Sequence, residues 1–180
     1  MAEKLTHILT FSRVYFDPCD PQPEHIMIED IAHALSYMCR ANGHFNQFFS
    51  VAQHSLNCVN EAQACGLSKD IQLACLLHDA SEAYLSDITR PVKANMPEYQ
   101  RFEEKLQNMI YSKFMGARLS ESDFKDVARI DNEMLYYEFL KIMEVRLFDK
   151  ELELKSSPPT EFEDFAKVEE KFLSEFYRLT

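Results

Sequence analysis

The chain has 180 residues, 46% of them hydrophobic and 27% charged, a balance that fits one folded domain with a sizeable core. Its net charge of -11 and pI near 5.0 exclude a protein that tracks a long phosphate backbone, which needs a basic surface. A small phosphorylated substrate stays admissible, because a local cluster of cations and a metal can hold one.

Only 3 glycines and no tryptophan favour helices. No segment approaches the ~18 apolar residues of a membrane helix, and residues 1–7 lead into no sustained apolar run of the signal-peptide kind. The five cysteines are odd in number and form no CxxC pair, which points to the reducing cytoplasm.

Residues 5–16 are rich in β-branched and aromatic side chains and read as a short hairpin or extended arm. Proline marks 17–23 as a loop. Ile28, Ile31, Ala32, Leu35 and Met38 predict a helix over about 28–41, with Glu29 and Asp30 in its first turn and Arg40 in its last. Asn42-Gly43 stops it. A second helix covers about 50–64 and ends at Cys65-Gly66. Ser68 caps a third, whose run 71–77 has Gln72 as its only polar residue. A helix apolar nearly all round is a buried one. Residues 80–86 read as its continuation, up to the break at Thr89-Arg90-Pro91. Further helices are expected at about 97–115, 123–147 and 161–178, the last carrying Phe162, Phe165, Val168, Phe172 and Phe176. Residues 155–160 read as a linker.

The buried helix ends on His78-Asp79. Burying an imidazole and an unpaired carboxylate is costly unless something binds them, and a divalent ion does so. His54, on the second helix, and Asp131, on a later one, complete a mixed nitrogen and oxygen set. That set suits Mn, Co, Fe, Ni or Zn. No cysteine is expected to join it. Cys75 reads as a small apolar residue of the buried run.

The order His54, His78-Asp79, Asp131 comes with a recognisable context. It includes Val51-Ala52-Gln53-His54-Ser55, Leu76-Leu77-His78-Asp79-Ala80-Ser81-Glu82-Ala83 and Asp87-Ile88-Thr89-Arg90-Pro91-Val92-Lys93. Glu29-Asp30-Ile31-Ala32-His33-Ala34-Leu35, Arg40 and Asn42-Gly43-His44 extend it. Over roughly residues 5–145 the chain resembles the HD-domain metal-dependent phosphohydrolases. Within them it is most similar to the branch of 5'-deoxynucleotidases and phage or prophage dNTP phosphohydrolases.

The resemblance implies an all-α HD-domain helical bundle with a small N-terminal β-hairpin. One domain then fills residues 1–180, with its core at about 26–150 and a C-terminal helix at about 161–178. It implies His54, His78, Asp79 and Asp131 as ligands of a divalent metal ion (Mn, Co, Zn, Fe, Ni or Mg). Glu82 would orient the attacking water and Asp87 would be a second catalytic acid. If the helix continues, Glu82 shares a face with His78 and Asp79. Arg40 and Lys93 match basic residues that face phosphate, and His44, after the Asn42-Gly43 turn, is a candidate substrate contact.

The implied reaction is metal-activated attack of water on phosphorus in deoxynucleoside mono- or triphosphates. Hydrolysis of a signalling nucleotide and a nucleotide-binding regulatory module with weak catalysis are the alternatives. A di-iron oxygenase would need histidines between the His-Asp pair and the last aspartate, and residues 80–130 contain none. The expected partners are a nucleotide and further copies of the chain, as a dimer or larger, with no membrane and no long nucleic acid. His33 is expected to pack, and the pairs Glu103-Glu104 and Glu169-Glu170 to be solvated.

Overall fold

The computed structural model describes residues 6–116, 118–149 and 151–180, so Leu5 and the rest of residues 1–5 in the expected N-terminal reading lie outside the described residues. β1 (Ile8–Leu9) pairs antiparallel with β2 (Tyr15–Phe16). Phe16 anchors this hairpin in the core, and the Ser12 N–H donates to Asp30 Oδ1 at 2.6 Å, tying the turn to the first helix.

That helix, α1 (Ile28–Tyr37), ends before Arg40 rather than after it. Met38 and Cys39 become extended because the chain pairs with the segment before α2. Cys39 bridges Ser50, the Arg40 N–H donates to Phe49 O at 2.9 Å, and the Val51 N–H donates to Met38 O at 3.0 Å. Arg40 therefore opens a short 3-10 turn (Arg40–Gly43) in which Ala41 and Asn42 take left-handed φ values of 53° and 51°.

α2 (Val51–Ala64) starts with a reciprocal cap between Ser50 and Gln53. α3 (Lys69–Leu77) is capped by Ser68, and every residue from 71 to 77 is buried, as its composition demanded. It does not continue through residue 86. Gln107 is the cause: its Nε2 donates to Leu77 O at 2.7 Å while its Oε1 accepts from the Ser81 N–H at 3.1 Å. Those two backbone groups would pair with each other in an unbroken helix. The chain instead turns through 78–81 into α4 (Glu82–Leu85) and then α5 (Arg90–Lys93).

α6 (Pro97–Met115) keeps its expected bounds, with proline in its first turn and Gly116 (φ 62°) at its end. α7 (Glu121–Met143) starts at the reciprocal Ser120–Asp123 cap and stops where Glu144 turns left-handed, earlier than 147. α8 (Phe165–Leu179) starts later than 161 because Asp164 is its cap.

The result, among the described residues, is a mostly helical protein with one small hairpin. α3 lies at its centre, against α2, α6, α7 and α8, while α8 also covers α1. The main apolar core runs from Phe16 to Leu179, and a smaller one gathers Phe45, Phe49 and Ile142. Val168, Phe172 and Phe176 of the aromatic last helix belong to the main core, whereas Phe162 is exposed. Among the described residues no helix is long and apolar enough to cross a membrane. His33 does pack, stacking on Phe11 at 3.9 Å, but Glu169 also accepts from it at 3.0 Å, so that acid is not merely solvated. Glu103 likewise departs from the solvated expectation, pairing with Lys93.

Candidate metal centre

His54 is carried by the buried face of α2, His78 and Asp79 by the turn that Gln107 forces after α3, and Asp131 by α7. The fold brings the four together. His54 Nε2 lies 3.2 Å from His78 Nε2 and 3.3 Å from Asp131 Oδ1. His78 Nε2 lies 3.2 Å from Asp79 Oδ2 and 3.7 Å from Asp131 Oδ1. The longest edge between a ring and a carboxylate in this set is 3.9 Å, from His54 Nε2 to Asp79 Oδ2.

The far side of each ring fixes what the near side offers. His78 Nδ1 sits 2.8 Å from the Cys75 carbonyl, which only accepts, so Nδ1 carries the hydrogen. His54 Nδ1 sits 2.7 Å from Glu138 Oε1, a carboxylate from α7 that is fully buried. In the neutral rings both Nε2 lone pairs then point at each other and at two carboxylates. Such a set calls for positive charge between its members, as a proton or as a metal ion. The donors fit the ion: two nitrogens at ~2.0–2.1 Å from a tetrahedral centre are about 3.4 Å apart.

Charge follows the same geometry. Burial opposes a charged His78, yet Asp79 and Asp131 hold its pKa well above the ordinary 6.5. Burial and Arg40 oppose a charged His54, and Glu138 with Asp131 outweighs them. Despite burial, His78 and Arg40 keep Asp79 below the usual carboxylate range, and the two imidazoles do the same for Asp131.

The remaining expected residues divide. Glu82 is buried beside the cluster, its Oε2 has no hydrogen-bond partner among the described residues, and burial with Asp79 and Asp87 pushes its pKa well above 4.5. Burial also raises Asp87, with Arg40 opposing and Asp79 adding to the shift. Lys93 Nζ donates to Glu103 Oε1 at 2.5 Å and lies 3.7 Å from Glu82 Oε1. Arg40 is buried, donating from Nη1 to Asp79 Oδ2 at 3.1 Å with its Nε 3.5 Å from Glu138 Oε2. The guanidinium thus pairs with both carboxylates. His44 is exposed, and among the described residues no hydrogen bond or ion pair links its ring to the cluster.

Three further residues belong to the neighbourhood. Glu138 follows Asp131 by two helical turns, a spacing that puts both on one face of α7. Cys58 follows His54 by four residues, and its Sγ lies 3.6 Å from His54 Nε2, contrary to the expectation that no cysteine joins the set. Arg90 donates to Asp131 Oδ2 at 2.7 Å and to Asn132 Oδ1 at 2.6 Å. The i+4 and i+7 spacings were the available signals for the first two. Arg90 had none beyond the motif that contains it.

His78, Asp79 and Asp131 open onto a cleft of about 350 Å³ that Lys93, Gln107 and Phe124 also line. A larger hollow of about 670 Å³ between α2 and the start of α8 shares no residue with the cluster.

No family model matches the chain. The chain is similar to YfdR, an uncharacterized protein of Escherichia coli (strain K12). The identity is 38% over 110 residues, covering 61% of this chain and 59% of that protein. It is also similar to an uncharacterized protein of Rhodobacter capsulatus, with 40% identity over 104 residues, 54% of this chain and 53% of that protein. The matches thus span little more than half the length of these curated relatives.

Proposed function

We propose that the protein is a divalent-metal-dependent phosphohydrolase of nucleotides, of the HD-domain type that its sequence resembles. The observation that carries this reading is the convergence of His54, His78, Asp79 and Asp131 from three parts of the chain, with both imidazole Nε2 atoms facing inward 3.2 Å apart. These four residues would hold the ion. Once bound, a divalent ion polarises a phosphoryl oxygen, neutralises its charge and lowers the pKa of water.

The chain's own groups supply the rest. Glu82 offers a buried oxygen with no hydrogen-bond partner among the described residues, suited to taking a proton from the attacking water or aiming its lone pair. Asp87 lies near enough to raise the pKa of Glu82 and shares that role. Lys93 and Arg90 are the cations for phosphate, Lys as a point charge and Arg as a fork. Arg40 and Glu138 act as positioning residues. Positioning and charge neutralisation account for most of the catalysis of phosphoryl transfer. A cleft of about 350 Å³ suits a mononucleotide.

The test is a panel of deoxynucleoside mono- and triphosphates and guanosine polyphosphates, assayed for phosphate or tripolyphosphate release with Mn, Co, Zn or Mg. The expected result is hydrolysis of at least one class, abolished by chelation and by Asp131→Ala. Absence of hydrolysis with every nucleotide and every metal overturns the proposal. One observation favours a second reading, a binding module without turnover: Arg40 and Arg90 already neutralise Asp79 and Asp131. Nucleotide affinity in a protein that takes up no metal would select it.

A further inference from the structure

We infer that Cys58 is a ligand of the same ion, forming with His54 and His78 a three-residue set whose fourth position goes to one aspartate or to water, so that the site prefers Zn2+ or Co2+ over Mg2+ or Mn2+. The inference rests on the metal reading above and concerns which ion that site takes.

Cys58 and His54 share one face of α2, a turn apart. The ligand atoms of His54, Cys58 and His78 all lie within 4.8 Å of one another. A nitrogen at ~2.0–2.1 Å and a sulfur at ~2.3 Å from a tetrahedral zinc are about 3.6 Å apart. The Cys58 Sγ to His54 Nε2 distance is 3.6 Å. No rearrangement of α2 is needed to bring the thiol into range.

The position of the sulfur also suits a resident ligand. Cys58 and His54 are 1% and 0% exposed and form the floor of the site, whereas His78, Asp79 and Asp131 face the cleft. A donor on the floor leaves the cleft side free for water and phosphate. Among the described residues, His54 Nε2 is the polar partner recorded for the thiol. When the ion binds, the sulfur–hydrogen bond breaks, its electron pair goes to the metal and the proton leaves to solvent. Thiolate sulfur with two imidazoles selects borderline ions, whereas an all-oxygen shell suits Mg2+.

The experiment uses the full chain, stripped with a chelator and titrated separately with Co2+, Zn2+ and Mn2+. The expected results are a near-ultraviolet sulfur-to-cobalt charge-transfer band and, by X-ray absorption of the zinc form, one sulfur at ~2.3 Å. Cys58→Ser should abolish both signals and weaken Zn2+ binding about tenfold or more while leaving Mn2+ binding within about twofold. Cys75→Ser should keep both signals. Should Cys58→Ser not fold, the wild-type spectra decide alone. Binding with nitrogen and oxygen neighbours only overturns the inference and leaves the metal reading standing. Absence of any bound ion removes both.

Discussion

Nδ1 of His54 on α2 lies 2.7 Å from Oε1 of Glu138 on α7, and both side chains are fully buried. The contact locks the imidazole tautomer and ties α2 to α7 through the site, while Arg40 closes the charge balance at 3.5 Å from Glu138 Oε2. Glu138→Ala would leave His54 Nδ1 without its buried carboxylate and Arg40 with Asp79 as its remaining partner. The expected cost is about 3–5 kcal/mol of stability, with ion affinity lowered about 10–100-fold. Glu138→Gln keeps an acceptor for Nδ1 and should recover part of each. Urea midpoints and calorimetric metal titration measure the two effects. An alanine variant with the wild-type midpoint and affinity would remove Glu138 from this role.

Glu82 is expected to separate chemistry from stability. Under the hydrolase reading, Glu82→Gln should lower turnover about 10²–10⁴-fold and leave the ion affinity intact. Its effect on the metal-free fold should be the reverse of a typical buried substitution. A carboxyl whose folded pKa is raised destabilises the native state above its unfolded pKa, because the unfolded chain gains more from ionising. The glutamine variant should therefore be more stable than wild type at neutral pH, and the gain should vanish below the ordinary carboxyl value of 4.5. Wild-type turnover in the variant, or equal stability at all pH values, would contradict the environment described for Glu82.

What the sequence carried was local. The bounds of α6 follow from Pro97 and Gly116, the burial of α3 from an almost unbroken apolar run, and the helices that carry His54 and Asp131 from periodicity and caps. What it hid was long-range. α3 breaks at His78 because Gln107, 30 residues from Leu77, takes the backbone groups that a continuing helix would use. α1 ends early because Cys39 bridges Ser50, which no local pattern announces. Of the candidate residues, His54, His78, Asp79, Asp131 and Glu82 converge, Arg40 joins them through Asp79, and His44 stays outside. Glu138 and Cys58 were visible only as spacings, and a spacing acquires meaning once the helix face it lies on is known to be buried.

Glu61 is a structural acid whose pH signature runs opposite to that of Glu82. It accepts from the Lys155 and Ser156 N–H groups at 3.0 and 2.9 Å and from Ser156 Oγ at 2.6 Å, pinning the segment before α8 onto α2. Against the effect of burial, these donors hold its pKa below 4.5. A carboxylate with a lowered folded pKa contributes stability that is complete above the unfolded value and lost as pH falls through the folded one. Glu61→Gln should cost about 1.5–3 kcal/mol near neutral pH, and the gap to wild type should close below pH 4.5. Denaturant melts of both proteins across the acid range read this directly. A gap that stays constant with pH would mean that the charge of Glu61 contributes nothing.

Ser86 links backbone strain to the candidate chemistry. It sits between Glu82 and Asp87 with φ 78° and ψ 150°, a region open in practice only to glycine. The conformation is held from both sides: the Ser86 N–H donates to Glu82 O at 2.8 Å, and the Tyr99 hydroxyl donates to Ser86 O at 2.7 Å. Strain of this kind costs about 1–3 kcal/mol, and glycine would relieve it while adding about 0.5–1 kcal/mol of unfolded-state entropy. Ser86→Gly should therefore stabilise the fold by about 1 kcal/mol, read as a higher urea midpoint. Because Ser86 directly precedes Asp87 and follows the helix of Glu82, the same change should lower nucleotide turnover several-fold under the hydrolase reading, with metal affinity unchanged. Tyr99→Phe removes the external clamp and should lower turnover in the same direction without the gain in stability. A glycine variant that is less stable than wild type would show that the backbone at Ser86 stores no strain.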